Sequence, residues 1–309
     1  MVASGKTQRV VATTDFDLSD YLNRCGRLVD RGLNRLLPSA RTKPATLHEA
    51  MRYSIFAGGK RLRPVLCLAA AEACQGEHEA AIPLACAVEC IHTYSLIHDD
   101  LPAMDDDDLR RGKPTNHKVY GEGVAILAGD ALLTHAFELA AHCEGWPRYR
   151  HQDIVRELAV AAGSKQLIAG QVADLEGEGK DLSKADLKYI HERKTSALLC
   201  CSVRLGGMSA NCTPRQLEAL TAFGYHVGLA FQVIDDILDV TQSTEKLGKT
   251  AGKDEAVSKA TYPSILGMEK SKAIARKLTE RAFEALETFP KRRAAALHAL
   301  AEYLLNRDH

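Results

Sequence analysis

The sequence predicts an all-α protein of about ten or more helices, and three observations lead to this prediction. Apolar residues recur at spacings of three and four over long stretches, such as the one from Leu84 to Tyr94. Segments rich in alanine and leucine, which have high helix propensity, recur along the chain. Breaks at glycine and proline, for example Gly58–Gly59 and Gly112–Pro114, separate the helical stretches, whereas alternating strand patterns are hard to find.

The composition indicates a globular protein organised as one domain. Of its 309 residues 46% are hydrophobic, and the formal net charge is zero, so no general attraction to nucleic acid or to an anionic membrane is expected. No linker or shift in composition divides the chain. We therefore expect a single domain over residues 15–309, preceded by a disordered segment over residues 1–14.

The cysteines and the apolar runs bear on where the protein works. Nine cysteines are scattered without a Cys-x-x-Cys pair, which predicts buried thiols in a reducing cytoplasm rather than a zinc site or a disulfide framework. Residues 1–14 lack the pattern of a secretory signal. We expect no membrane span, because no apolar run approaches the roughly 20 residues that cross a bilayer.

A first acidic segment begins where a strongly apolar helical stretch ends. It places six carboxylates within ten residues: Asp99, Asp100, Asp105, Asp106, Asp107 and Asp108. Pro102 interrupts regular helix there, so Asp105 can return toward the cavity that Asp99 faces. Hard oxygen ligands suit Mg²⁺, and the basic residues that follow at 110–113 suit phosphate. The segment is interpreted as a metal–diphosphate site, and the alternative is a solvated acidic turn.

A second acidic segment, FQVIDDILDV at residues 231–240, gathers three carboxylates within one helical turn: Asp235, Asp236 and Asp239. Apolar residues flank them and place this face against the core or a cavity, where an unpaired carboxylate is costly. A bound metal would relieve that cost, and a buried lysine or arginine partner is the alternative. The glycine-containing stretch after it carries Lys249, Lys253 and Lys259, which either close over phosphates or are ordinary surface residues.

Further basic groups lie elsewhere in the chain. Lys60 and Arg63 are one helical turn apart, and His92 lies nearly two turns before the first acidic segment. Lys194 and Thr195 open another apolar run. Taken singly, His92 could be a satisfied core histidine and Lys194 a charge at a helix start. Two acidic segments together with several cations are harder to explain in that way, and they indicate a metal-dependent diphosphate site.

These segments together resemble the trans-isoprenyl diphosphate synthases. The motifs that carry the resemblance follow one another in order between residues 48 and 270: GGKRLRP, DDLPAMD, LRRGKPTNHK, GQVADLE, HERKTSALL, FQVIDDILD and LGKTAGKD. The chain is especially similar to bacterial farnesyl diphosphate synthases and to bacterial or plant geranylgeranyl diphosphate synthases.

The resemblance implies an isoprenoid synthase fold, with helices around a central catalytic cavity, in a homodimer. It implies three Mg²⁺ ions held by Asp99, Asp100 and Asp105 on one wall and by Asp235, Asp236 and Asp239 on the opposite wall. Asp106 to Asp108 would lie nearby without being direct ligands.

The resemblance also assigns the basic residues to two substrates, an allylic diphosphate and isopentenyl diphosphate. The allylic diphosphate would be contacted by Arg110, Lys194 and Lys249, with Lys259 nearby. Isopentenyl diphosphate would be held by Lys60, Arg63, His92 and Arg111. Supporting roles would fall to Gln171, Asp174, Thr195 and Gln232. The most direct catalytic roles would fall to Asp99, Asp105, Arg110, Lys194, Asp235 and Lys249.

The implied activity is head-to-tail condensation of isopentenyl diphosphate with dimethylallyl or geranyl diphosphate after Mg²⁺-assisted ionisation. In this family, bulk before the first motif closes the floor of the elongation tunnel. Tyr94, five residues before Asp99, and the extra Leu101–Pro102 pair therefore favour a farnesyl (C15) product, while the C-terminal YLLNRDH keeps a geranylgeranyl (C20) product open.

Two alternative functions are considered. A class I terpene cyclase needs no second diphosphate pocket. A non-catalytic regulatory subunit of a heteromeric prenyltransferase needs no intact acidic segments.

Overall fold

The protein is described by a computed structural model over residues 16–241 and 260–305, and these residues are almost entirely helical. The all-α prediction is confirmed, and more than ten helices lie within this part of the chain. Two sequence predictions fall outside the described residues. They are the disorder of residues 1–14 and the phosphate-contacting roles of Lys249, Lys253 and Lys259.

The helices follow one another along the described chain with short connections. In order they are α1 (Leu18–Leu36), α2 (Ala45–Ile55), α3 (Leu62–Ala73), α4 (His78–Asp99), α5 (Asn116–Tyr120), α6 (Glu122–His142), α7 (His151–Ala162), α8 (Leu167–Gly177), α9 (Lys184–His191), α10 (Ala197–Ser209), α11 (Pro214–Thr241), α12 (Tyr262–Leu266), α13 (Met268–Leu286) and α14 (Lys291–Leu305). A π-helical turn, Glu192–Ser196, joins α9 directly to α10 and is called the π turn below.

Helix α4 lies at the centre of the core and carries the first acidic segment at its end. Its buried residues occur on all sides of the helix, as expected for a helix that is apolar all round. It packs against α1, α2, α3, α6 and α10. Because α4 is held on so many sides, the position of Asp99 at its last turn is fixed by the core.

A two-stranded hairpin, which the sequence patterns did not reveal, follows the first acidic segment. It pairs β1 (Leu109–Arg110) with β2 (Lys113–Pro114) in antiparallel register. Its two central residues, Arg111 and Gly112, have φ of +54° and +74°. Positive φ at both central residues is characteristic of a type I′ turn, the geometry that best matches the twist of paired strands.

The expectation that no apolar run approaches membrane-spanning length is wrong for the described part of the chain. By length and composition, three helices are long and apolar enough to cross a membrane: His78–Asp99, Glu122–His142 and Pro214–Thr241. Within the most apolar 18-residue stretch of each helix, 72%, 44% and 50%, in that order, is buried inside the folded protein. Much of the apolar surface of these helices therefore packs within the fold.

Candidate active site

The first acidic segment turns sharply after α4 and brings Asp105 back beside Asp99, as the interruption at Pro102 predicted. The Asp105 N–H donates a hydrogen bond to the Asp99 carbonyl oxygen over 2.8 Å. Burial raises the pKa of Asp99 to about 6. The charge of Lys194 opposes this rise, and the carboxylates of Asp105 and Asp100 add to it. The protein by itself thus stabilises the ionised form of Asp99 less well than water does.

Asp100 is buried and paired with Arg110. The Arg110 Nε donates to Asp100 Oδ1 over 2.9 Å, and its Nη2 donates to Asp107 Oδ2 over 3.1 Å. Burial raises the pKa of Asp100, although the hydrogen bond from Arg110 opposes that rise. Asp108, by contrast, forms an exposed ion pair with Lys118 at 2.7 Å. Adjacent carboxylates of this segment therefore have different environments.

The π turn is held between two helices that approach its backbone closely. A Cβ atom on Gly170 of α8 would lie 2.2 Å from the backbone nitrogen of Lys194. A Cβ atom on Gly228 of α11 would lie 2.7 Å from Cα of Ser196. Only glycine leaves room at these positions. Thr195 is buried in the same turn.

Lys194 leaves the π turn toward the first acidic segment. Its Nζ lies 2.6 Å from Asp174 Oδ2 on α8, and its charge favours the ionised form of Asp99. Gln171 lies one turn before Asp174 and is half-buried. The structure therefore brings together the predicted residues of three separate motifs, on α4, α8 and the π turn.

The second acidic segment forms the last turns of α11 and is partly buried. Asp236 Oδ2 accepts a hydrogen bond from the Tyr262 N–H over 2.8 Å. Asp239 is buried, and Asp235 is half-buried. Gln232 lies one turn before Asp236 on the same face of the helix.

Two residues near this segment were missed by sequence reasoning. The ring of His191 packs against that of Tyr262 with centroids 5.5 Å apart, and His191 Nε2 lies 3.7 Å from Asp236 Oδ1. Burial lowers the pKa of His191 to about 4. His191 directly precedes the π turn, so this contact connects the π turn to the second acidic segment. Its place at the head of HERKTSALL was a signal that could have been used.

The residues predicted to hold isopentenyl diphosphate are called the cation pocket: Lys60, Arg63, His92 and Arg111. Arg63 Nη1 lies 3.3 Å from His92 Nε2. Arg111 donates a hydrogen bond to the Gly58 carbonyl, and a Cβ atom on Gly59 would lie 2.5 Å from its guanidinium carbon. The glycine pair therefore provides the space that the Arg111 side chain fills.

The electrostatic environment of the cation pocket is strongly positive. Burial lowers the pKa of His92 well below its ordinary value, and the charges of Arg63 and Arg111 lower it further. A neutral imidazole can donate one hydrogen bond to an anion. Lys60 is exposed, and its Nζ lies 5.0 Å over the ring of Tyr303 on α14.

The hairpin directs two consecutive arginines to different partners. Arg110, in β1, reaches Asp100 of the first acidic segment, while Arg111, in the turn, reaches Gly58 beside the cation pocket. The type I′ turn thus directs the two consecutive guanidinium groups to different neighbours. The assignment of the two arginines to separate substrates stays a prediction.

The donor chemistry at the acidic segments fits Mg²⁺. Within residues 16–241 and 260–305 no group of three or more His, Cys, Asp or Glu side chains is arranged to hold a metal ion. Mg²⁺ does not require such a cage, since it is usually bound through one or two carboxylates, waters and substrate phosphates. A cation beside Asp99 and Asp105 would stabilise the ionised form of Asp99 that burial disfavours.

Tyr94, the predicted determinant of product length, is buried on α4 one turn before His98. The two rings meet edge to face, with centroids 5.7 Å apart. The Tyr94 hydroxyl is buried and has no hydrogen-bond partner among the described residues. Burial raises its pKa to about 12. Among the described residues, Tyr94 therefore interacts through the packing of its ring rather than through its hydroxyl.

Comparisons with known proteins show the family to which the chain belongs. The family described as Polyprenyl synthetase matches residues 44–299. A geranylgeranyl pyrophosphate synthase from Capsicum annuum is 55% identical over 86% of this chain and 73% of its own length. A heterodimeric geranylgeranyl pyrophosphate synthase large subunit from Arabidopsis thaliana is 50% identical over 96% of this chain and 81% of its own length. A solved FPP/GFPP synthase from Zymomonas mobilis superposes with a TM-score of 0.81 at 34% identity, covering 93% of this chain and 98% of its own.

These relationships define the class of the protein as a prenyltransferase with the isoprenoid synthase fold. The chain belongs to the Polyprenyl synthetase family, and within that family it is a short-chain trans-prenyltransferase.

Proposed function

We propose that the protein is a geranylgeranyl diphosphate synthase, which extends an allylic diphosphate with isopentenyl diphosphate to a C20 product. The observation that supports two diphosphate substrates is the division of Arg110 and Arg111 between the first acidic segment and the cation pocket. The product length is supported by the relatives that carry the geranylgeranyl name at 50% and 55% identity.

In the proposed reaction each group of residues has one task. Three Mg²⁺ ions, held by Asp99, Asp100, Asp105, Asp235, Asp236 and Asp239, would supply the positive charge that stabilises a departing diphosphate. Arg110 and Lys194 would bind the same allylic diphosphate, with Lys249 and Lys259 from beyond the described residues. Asp174 orients Lys194, and Thr195 and Gln232 would support the substrate from the π turn and α11.

The cation pocket would hold isopentenyl diphosphate so that its double bond faces the allylic carbon. His92 would donate a hydrogen bond in its neutral form, and Arg63 and Arg111 would pair with phosphate oxygens. Buried apolar residues around α4 would exclude water from the reacting carbons. A proton is lost from the condensed product, with the released diphosphate as its expected acceptor.

A farnesyl diphosphate synthase is the second candidate, and Tyr94 is the observation that favours it. A buried aromatic ring packed on His98 is the kind of bulk that would limit a growing chain. The named relatives favour the longer product over this argument from one side chain. A direct product analysis decides between them.

The test of the proposed function is one assay on the purified protein with Mg²⁺ and isopentenyl diphosphate. Each allylic primer (dimethylallyl, geranyl, farnesyl) is supplied in turn, and the products are identified by mass. We expect a C20 diphosphate from all three primers. A terpene cyclase would release hydrocarbon without isopentenyl diphosphate, and a non-catalytic regulatory subunit would give no product at all.

Replacing Tyr94 with alanine is expected to lengthen the product, because it removes an aromatic ring from the predicted tunnel floor. Tyr94→Phe is the matched control: it keeps the ring and removes only a buried hydroxyl without a partner, so the product should be unchanged. Chain length is measured by mass for both variants. An identical product distribution in Tyr94→Ala and the wild-type protein would contradict a role for Tyr94 in chain length.

We also propose that the protein forms a homodimer through the exposed apolar face of α6 and the adjoining α5. Ile126 and Leu127 of α6 are 43% and 58% exposed, and Val119 of α5 is 46% exposed. Such a patch is typical of an interaction surface. Light scattering should give a dimer mass for the wild-type chain and a monomer mass for Leu127→Glu. A monomeric wild-type chain would instead favour a different subunit as partner, as in the relative named as heterodimeric.

A reducing compartment is proposed for the protein. The described cysteines are free, and most of them are buried. The cytoplasm was expected from the sequence, whereas several plant relatives are named chloroplastic. A fluorescent fusion of the whole chain, expressed in its source cells, would distinguish a cytoplasmic from a plastid location.

A further inference from the structure

Arg61 lies between Lys60 and Arg63 in the GGKRLRP motif, yet its side chain is buried. Its φ is +50°, a left-handed conformation that is uncommon for a residue with a side chain. Each of its three guanidinium nitrogens donates a hydrogen bond: Nε to Asp30 Oδ1 over 2.9 Å, Nη1 to Glu89 Oε1 over 2.7 Å and Nη2 to the Ile55 carbonyl over 2.6 Å. Arg61 therefore ties α1, the end of α2 and α4 to the start of α3.

The two acidic partners of Arg61 differ in burial. The Glu89 side chain is 2% exposed, whereas that of Asp30 is 50% exposed. A buried ion pair is weak evidence of stabilisation, since its replacement by well-packed apolar residues of similar volume is often neutral or stabilising. The Arg61–Glu89 pair therefore calls for another explanation.

The position of the pair supplies that explanation. Glu89 lies one turn before His92 on α4, and Arg61 lies two residues before Arg63. The ion pair therefore sets the approach of α3 to α4 at the level where Arg63 meets His92. Glu89 also acts electrostatically on Arg111, where it partly offsets the effects of burial and of neighbouring arginines on the pKa of that guanidinium. A single buried carboxylate thus contacts Arg61, beside the pocket, and acts electrostatically on Arg111 within it.

We propose that Glu89 and Arg61 are positioning residues for isopentenyl diphosphate, because their buried ion pair holds the cation pocket in its binding geometry before the substrate arrives. This inference rests on the proposed function. It assigns neither residue a contact with substrate. It requires that disruption of the pair weakens binding of isopentenyl diphosphate and leaves binding of the allylic diphosphate unchanged.

The test measures KM for each substrate and kcat in Glu89→Gln, which keeps the shape of the side chain and removes its charge. KM for isopentenyl diphosphate should rise about tenfold, with kcat and the allylic KM within about twofold of wild type. Asp30→Asn removes the exposed partner of the same arginine and should change all three constants less than twofold. An unchanged KM for isopentenyl diphosphate in Glu89→Gln would overturn the proposal, and so would a lower KM, which would show that Glu89 only opposes the charge of the substrate.

A second variant separates positioning from folding. Arg61→Met combined with Glu89→Leu replaces the pair with apolar side chains, and it should restore the thermal midpoint but not KM for isopentenyl diphosphate. Restoration of both, or equal changes in both KM values, would overturn the proposal. A wild-type protein without isopentenyl-dependent product would overturn the proposed function itself, and the inference with it. The two failures are thus distinguishable in one set of measurements.

Discussion

Replacing Asp99 with asparagine is expected to lower kcat for condensation by about 10²–10³-fold, the usual effect of removing one group that stabilises transition-state charge. The asparagine side chain would keep the size of the aspartate and lose the anionic oxygen that faces Asp105 and Lys194. The apparent Mg²⁺ requirement should rise in parallel. Steady-state kinetics over a Mg²⁺ titration measures both effects.

The matched control lies in the same acidic segment. Asp108 is exposed and paired with Lys118 at 2.7 Å, so Asp108→Asn should change kcat less than twofold. A similar loss in both variants would indicate a general effect of acidic charge rather than a specific role for Asp99. Retention of most activity by Asp99→Asn would remove this residue from the proposed metal site.

Although Asp99→Asn should lower activity, it should raise the stability of the metal-free protein. Burial raises the pKa of Asp99 from 3.8 to about 6, so the folded state binds this proton more tightly than the unfolded state does. The resulting stabilisation is complete below pH 3.8 and is lost as the pH rises through about 6. In EDTA, Asp99→Asn should therefore melt at a higher temperature than wild type at pH 7, and the difference should shrink toward pH 4.

Replacing Gly170 with alanine is expected to lower kcat by about 10²-fold, because displacement of a positioned group by about 1 Å has an effect of this order. The new Cβ atom would lie 2.2 Å from the backbone nitrogen of Lys194, so either α8 or the π turn must move. Such overpacking also destabilises the fold, typically by about 1–3 kcal/mol. Kinetics at a temperature well below the melting transition separates the two effects.

Gly26→Ala on α1 is the control for this substitution. No atom lies within 4 Å of a Cβ built there, so alanine should be accommodated and should stabilise the helix by roughly 0.5–1 kcal/mol. Its kinetics should equal those of wild type. If Gly170→Ala retained full activity, the close packing of α8 on the π turn would have no bearing on the placement of Lys194.

Helical spacing and propensity were sufficient to predict the fold class, although α4 is buried on all sides rather than along the single face that its spacing indicates. It did not predict the hairpin, since strands of two residues are too short to show alternation. The apolar length of α4, α6 and α11 was also underestimated from the sequence. A few charged or polar residues interrupt each of these helices, but the helix as a whole stays apolar over a length that could cross a bilayer.

At the site, motifs identified residues that the fold does bring near one another, such as Asp99, Asp174 and Lys194. They did not identify Glu89, because the contact that distinguishes it from an ordinary core residue joins segments far apart in the chain, whereas His191 was overlooked although it heads the HERKTSALL motif. The separate environments of Asp99 and Asp100 were equally beyond prediction. Asp99 and Asp100 have the same side chain, and their environments differ because the end of α4 points them in different directions, with Asp100 toward Arg110.

The two-residue turn at Arg111 and Gly112 directs Arg110 to Asp100 and Arg111 to the Gly58 carbonyl, and this makes the hairpin sensitive to length in a way that most surface loops are not. Insertion of a single residue before Arg110 would shift the strand by one position and present both guanidinium groups to the wrong neighbours. The chain would keep its charge, its motif residues and its core. Under the proposed assignment of one arginine to each substrate, the change of register would by itself impair the binding of both diphosphates.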